Sequence, residues 1–213
     1  MPWCPGVAHR IIGGMDIDFI GFVGDCLVSG RLDLTADRLT DQLNAQPEVT
    51  LRDVVLEGLD GGRVTAETFT VARSQLCAVV GSGPRGAQVL RVPTDARRLQ
   101  AQIGPYMVLG RYHGPVGGTN LRTFTERDPM VPLTDATIAY VVDGVLDVRD
   151  VDVLVVNREL AAWYHDPDEL DEASSREATL DALRAGSRRG SAARLHARLE
   201  DAGRQPVQTA RRR

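Results

Sequence analysis

The sequence predicts an α+β fold that is mainly β. It consists of two tandem strand-helix-β-meander repeats, packed as a pseudo-twofold small barrel or sandwich, and a polar C-terminal tail. Two repeated motifs predict this: the pattern P-x-V-x-L-x-D at 47–53 recurs at 129–135, and a Gly-Arg pair at 30–31 recurs at 110–111. Apolar residues also alternate over short runs around these motifs, as in strands with one buried face. The 213 residues are 43% apolar, enough for a substantial core.

The repeats divide the chain into five segments. They are a predicted N-terminal extension at 1–23, the first repeat at 24–80, a linker at 81–103, the second repeat at 104–165 and a charged tail at 166–213. Each repeat is near the size at which a core becomes marginal, so the two are expected to pack together. The first 14 residues are interpreted as a non-native extension, because Met15 suits a translation start.

The first repeat begins with an alternating strand at 26–34. Thr35 or Asp37 can cap a short helix that carries Leu39 and Leu43 on one face. A β-meander follows, with a hairpin turn at Asp60-Gly61-Gly62, whose glycines accept positive φ. The meander strands are predicted at 49–59, 64–71 and 76–80.

The second repeat follows the same order. A strand at 106–113 precedes a helix that Thr119 can cap and that holds Leu121 and Phe124. A turn at 143–144 lies within the meander, whose strands are predicted at 131–142, 145–156 and 160–164. The linker is predicted to contain an extra strand at 89–92 and a helical turn at 96–102.

Charge and cysteine content narrow the function classes. The net charge is −4, so no overall basic surface favours nucleic acid. The charge is split within the tail: 166–187 has seven acids and two arginines, and 188–213 has eight arginines and two acids. Three widely spaced cysteines without C-x-x-C indicate thiols in a reducing cytoplasm and no zinc site. The apolar run at 11–23 is short and contains two acids, so no membrane partner is expected.

The residues repeated between the halves are the first candidate site residues. Asp53 and Asp135 could contact a repeated ligand, but turn formation by an Asx-type bond is the favoured interpretation. Arg31 and Arg111 could bind phosphate or carboxylate groups, although a solvated charge that discourages edge pairing is more typical.

Residues present in only one half are the second group of candidates. Asn157 and Arg158 follow an apolar strand and are either a site kept by the second repeat or a polar turn. An enzymatic interpretation requires Asp135, Asn157, Arg158 and His165 to converge between the repeats. Arg211, Arg212 and Arg213 end the basic part of the tail and could bind phosphate groups in a salt-dependent way.

Two motifs carry a resemblance. P-L-T-D-A-T-I at 132–138 and V-V-N-R-E at 155–159 resemble a family of uncharacterised small bacterial domains, best over 104–165 and weakly over 24–80. This family implies no activity. The strand-helix-meander order is also similar to that of Sm-like small barrels, which oligomerise and bind RNA.

The sequence contains no recognisable catalytic, cofactor or metal motif. It therefore favours a non-enzymatic protein-interaction, assembly or regulatory module without a cofactor, in the cytoplasm, with a protein partner or self-association. The alternative is a nucleic-acid-binding protein that acts through an Sm-like body or the Arg-rich tail.

Overall fold

A computed structural model describes residues 14–84, 93–116 and 122–167 of the chain. Several predictions lie outside these ranges: the strand at 89–92, the helix cap Thr119, Leu121 and the tail from 168 onward, including Arg211, Arg212 and Arg213. We refer below to 15–80 as the first half and to 94–165 as the second half.

The first half follows the predicted order of elements, with one added strand in front. Its elements are β1 (Met15–Val23), β2 (Cys26–Leu34), α1 (Leu39–Ala45), β3 (Glu48–Gly58), β4 (Arg63–Ala72), a 3-10 turn (Arg73–Gln75) and β5 (Leu76–Val80).

The second half repeats this order. Its elements are β6 (Thr94–Ile103), β7 (Tyr106–Pro115), α2 (Arg122–Thr125), β8 (Met130–Val142), β9 (Val145–Asn157), a 3-10 turn (Arg158–Leu160) and β10 (Ala161–His165). The mainly β class predicted from the sequence is therefore confirmed.

The ten described strands form one antiparallel sheet in the order β10-β6-β7-β8-β9-β5-β1-β2-β3-β4. Within each half, the last strand pairs with the first, and the remaining strands follow in chain order. The halves are joined by the β5·β9 ladder, which we call the junction.

The sheet is not closed, because β10 and β4 lie at its two ends. This corrects the barrel, one of the two predicted alternatives, and the sandwich stays a prediction. The junction also joins strands that occupy different places in the two halves, whereas a twofold axis would pair each strand with its own equivalent. The described ladder therefore does not confirm the predicted pseudo-twofold arrangement.

Two predictions of secondary structure were wrong. The end of the predicted N-terminal extension is β1, and the predicted helical turn at 96–102 is part of β6. In β1 the buried side chains of Ile17 and Phe19 alternate with exposed acids, and in β6 Leu99 and Ile103 are buried. The period of two places one face of each strand on a core, and this burial overrides the helix propensity of Ala, Arg, Leu and Gln.

Two cores lie on the sheet. The first core is centred on the first half and contains Ile17, Phe19, Leu43 and Leu51. The second core is centred on the second half, yet it also takes Phe22 from β1. The rings of Phe22, Tyr106 and Tyr140 meet edge to face there, with centroids 5.2 to 5.6 Å apart.

Tyr106 also links the halves through its polar end. Its hydroxyl donates a hydrogen bond of 3.0 Å to the carbonyl oxygen of Cys26 in the first half. Burial raises the pKa of Tyr106 far above its usual range, so the hydroxyl keeps the proton that it donates.

Helix α1 buries Leu39 and Leu43, as predicted, but its N-terminus is not capped by Thr35 or Asp37. The N-cap residue is Arg38, which makes no side-chain capping bond. Instead, the side-chain oxygen of the buried Gln42 accepts a hydrogen bond from the Thr35 backbone N–H at 2.7 Å. Its side-chain nitrogen donates to the Asp33 carbonyl oxygen at 3.1 Å. These bonds fix the helix against the end of β2.

Candidate interaction surfaces

Asp53 and Asp135 occupy equivalent β-bulges. Both have left-handed backbone, with φ of 52° and 47°, and each lies where the ladder to the preceding strand shifts register. Gly30 and Gly110 face these bulges; a Cβ at Gly30 would lie only 2.8 Å from the Arg52 carbonyl oxygen. The repeated Asp and Gly are therefore accounted for by the backbone of the bulge, because Asp tolerates positive φ better than most residues.

This account gives a prediction for Asp135. Asp135→Val should lower the free energy of unfolding by about 1–2 kcal/mol, because a branched residue is strained at positive φ. Asp135→Gly and the control Asp135→Asn should keep the stability within about 0.5 kcal/mol, since both residues accept this conformation. Chemical denaturation measures all three variants. A loss in Asp135→Asn equal to that in Asp135→Val would contradict the backbone account.

The two repeated arginines are paired on the surface. Arg31 donates to the carboxylates of Asp16 and Asp18, and hydrogen bonds with these two groups raise its pKa. Arg111 lies 3.5 Å from a carboxylate oxygen of Asp135. Neither side chain is buried, so these ion pairs contribute little to stability.

Arg111 also lines a shallow cleft of about 290 Å³. The cleft is formed by Arg98, Leu109, Gly110, Arg111 and Asp135. In the first half, Asp18 takes the place of Arg98 in the strand register, opposite the repeated arginine. The same position is therefore acidic in one half and basic in the other.

Asn157 and Arg158 serve structural contacts. Asn157 is 1% exposed; its side-chain oxygen accepts the Glu159 backbone N–H, and its amide donates to the Arg73 carbonyl oxygen at 3.1 Å. The guanidinium of Arg158 donates to the carbonyl oxygen of Arg127 at 2.6 Å.

The convergence required by the enzymatic interpretation is not found. Asn157 pairs with Met130 in the β8·β9 ladder, and Asp135 follows five residues later along β8. The two side chains therefore start roughly 15 Å apart. His165 stacks on Trp163 in β10 instead.

The junction is a contact between the halves whose strands the sequence pattern did not predict to pair. Ala78, Val79 and Val80 of β5 pair with residues 156, 155 and 154 of β9, respectively. Both strands are apolar at successive positions, which is typical of strands buried on both faces. Ala78 and Val156 belong to the second core, and Val79 and Val155 belong to the first core. Each strand thus contributes to the core of the other half.

Polar contacts reinforce the junction. The Asn44 side chain accepts the Met130 backbone N–H at 2.9 Å and donates to the Met130 carbonyl at 3.0 Å. At the far end, the Gly81 N–H donates to the Val153 carbonyl at 2.8 Å. A Cβ at Gly81 would lie 2.6 Å from the Val153 side chain, so glycine is needed for this close approach.

The described sheet ends at two edge strands, β4 and β10. β4 matches β9: Val71 pairs with Val49 in β3 as Val156 pairs with Val131 in β8. The Val153 carbonyl accepts the Gly81 N–H and so points toward β5. Backbone direction alternates along a strand, so the N–H and C=O of Val155 also point toward β5. At the matching place on β4, Thr70 therefore directs its N–H and C=O away from β3, to the outer edge.

Comparisons with protein families, curated proteins and solved structures find no match to this chain. The resemblance of 132–138 and 155–159 to a bacterial domain family therefore stays a prediction. In the part of the chain that the structure describes, no helix is long and apolar enough to cross a membrane, and no three metal-ligating side chains cluster.

Proposed function

We propose that this chain is a tandem-repeat, non-enzymatic assembly module that binds protein partners by adding a strand at its sheet edges. The observation that carries the proposal is the junction, where strand pairing and exchange of apolar side chains join two similar units. The edges β4 and β10 offer the same kind of backbone to another chain. Strand addition at an exposed edge is a common mode of protein recognition, in which main-chain hydrogen bonds supply affinity.

Side chains outside the junction also support a protein partner. Val145, Leu146 and Val148 at the start of β9 are 69%, 40% and 53% exposed. They precede the residues of β9 that pair with β5, so among the described residues this part of β9 pairs with β8 alone. Grouped apolar side chains on a surface are typical of interaction sites.

A nucleic-acid-binding protein is the second candidate. The cleft with Arg98 and Arg111 favours it, because two guanidinium groups there can contact phosphate. The Arg-rich end of the sequence at 188–213 would add salt-dependent, sequence-independent binding.

Blocking the outer edge of β4 tests the assembly function. Thr70→Pro removes an N–H directed outward, so we expect loss of self-association or of captured protein partners, with the fold retained. The control is Ala66→Pro, which removes another outward N–H four residues away, beyond the stretch that matches the junction. Native mass measurement and pull-down from the source cell give the readout, and circular dichroism checks folding.

Three outcomes decide between the candidates. Partner loss in Thr70→Pro but not in Ala66→Pro supports edge-strand assembly. Recovery of the wild-type protein always monomeric and alone overturns it. Capture of nucleic acid that weakens steeply with salt and is lost on deleting 188–213, without any protein partner, overturns it in favour of the second candidate.

A further inference from the structure

We propose that the partner of the edge strands is a second copy of this chain, with β10 of one copy pairing antiparallel to β4 of the next. This inference rests on the proposed assembly function and names its partner. It follows from the junction, because β5 and β9 are the strands to which β10 and β4 correspond within their own halves.

The correspondence of β5 and β10 is fixed by register. Leu76 of β5 pairs with Val23, the last residue of β1, and Ala161 of β10 pairs with Ile103, the last residue of β6. Each strand then skips one residue at a bulge before pairing resumes. Ala78, Val79 and Val80 therefore correspond to residues 163, 164 and 165.

The correspondence of β4 and β9 is equally definite. Thr68 pairs with Arg52 and Val153 with Thr134, on the same side of each Asp bulge. Phe69, Thr70 and Val71 thus correspond to residues 154, 155 and 156. Transfer of the junction register to the outer edges pairs Trp163 with Val71, Tyr164 with Thr70 and His165 with Phe69.

The side chains at these positions fit the exchange seen at the junction. Ala78 reaches the core of the other half, and Trp163 takes its place in β10. The Trp163 ring is only partly buried and stacks on His165, with centroids 5.2 Å apart. In the proposed contact both rings would lie against Phe69 and Val71, which border or belong to the first core of the next copy.

An unsatisfied polar atom lies at the same edge. The Nε2 atom of His165 is buried without a hydrogen-bond partner among the described residues. Buried polar groups are usually paired, so this atom is a polar group that the described contacts of β10 leave unsatisfied.

The outer contact lacks two features of the junction. Ala72 replaces Asn157, so no amide reaches across to the next copy. Asp166 follows His165 where Gly81 follows Val80, and a side chain at that place would meet Thr68. The ladder should therefore stop after three pairs, and association should be reversible and dependent on concentration. Because the two edges differ, the contact is heterologous and propagates into a ring or a filament.

Disulfide trapping with single-cysteine additions tests this register. Phe69→Cys and His165→Cys place a cysteine on opposite edges at a non-hydrogen-bonded pair, where Cα atoms lie about 4.5 Å apart, within the range for a disulfide. Each variant alone should give no more cross-linked dimer than the unmodified protein, whose native cysteines set the background. Under mild oxidation, their mixture should give a dimer that contains one chain of each.

The matched control is Thr65→Cys mixed with His165→Cys, because Thr65 is exposed on the same face of β4, four residues out of register. A dimer yield that is several-fold higher with Phe69→Cys than with Thr65→Cys supports the proposal. Equal yields overturn it, as does cross-linking of Phe69→Cys to itself, which indicates a symmetric edge contact. If no dimer forms and Thr70→Pro abolishes capture of a different protein, this inference fails and the proposed function stands. If wild type is monomeric and captures nothing, both fail.

Discussion

Replacement of Phe22 by alanine is expected to lower the free energy of unfolding by about 3–5 kcal/mol. Phe22 is fully buried, and its ring is in edge-to-face contact with Tyr106 and Tyr140. The ring comes from β1 but fills the second core, so the change removes packing between the halves as well as within one of them.

Ile20→Ala is the matched control, because Ile20 lies on the same strand and is 36% exposed. Its loss should be well below that of Phe22→Ala. Urea unfolding followed by circular dichroism and by tryptophan fluorescence measures both variants. Coincident transitions are expected, since Phe22 and Tyr106 couple the halves. If unfolding showed two separate transitions and Phe22→Ala shifted only the transition of the first half, the result would contradict this coupling.

The strands that alternate strongly were predictable from sequence. The strand predicted at 26–34 is β2, and those at 131–142 and 145–156 match β8 and β9 to within one residue. The turn at Asp143 and Gly144 also forms as predicted, with both residues at positive φ. In these segments local turn chemistry and the period of two agree, so one assignment satisfies both.

β1 and β6 could not be assigned from local pattern. Acids and glycines interrupt the apolar run of β1, and β6 is rich in residues that favour helices. Each becomes a strand because it closes its half of the sheet between two neighbours, and such pairing is set by tertiary contacts that a short window does not contain.

For the candidate site residues too, local pattern predicts some features and leaves others to the folded chain. Asp53 and Asp135 were predicted to form an Asx-type turn; the structure places both at β-bulges with positive φ, and the Asx-type bond stays a prediction. The apolar runs at 76–80 and 153–156 do indicate strands buried on both faces, but they do not say which strands meet. Pairing of β5 with β9 joins residues about 75 positions apart in the chain, and only the folded chain reveals it.

Asn157 is a buried polar residue whose side chain bonds across the junction. Replacement by alanine should lower the free energy of unfolding by about 2–3 kcal/mol. The change leaves the Glu159 N–H and the Arg73 carbonyl without their partner at a part-buried site. Each such loss costs about 1–3 kcal/mol, and partial access of water keeps both near the lower end. Denaturant titration at neutral pH measures the effect.

Asn157→Asp separates the two roles of this side chain. An aspartate oxygen can still accept the Glu159 N–H, but a carboxylate cannot donate to the Arg73 carbonyl, and the two oxygens repel. At neutral pH, Asn157→Asp should therefore be at least as destabilised as Asn157→Ala. The control is Glu159→Ala, which keeps the backbone N–H, alters an exposed side chain and should change stability by about 0.5 kcal/mol or less. If Asn157→Asp matched wild type, capping alone would account for Asn157, and the hydrogen bond across the junction would contribute nothing.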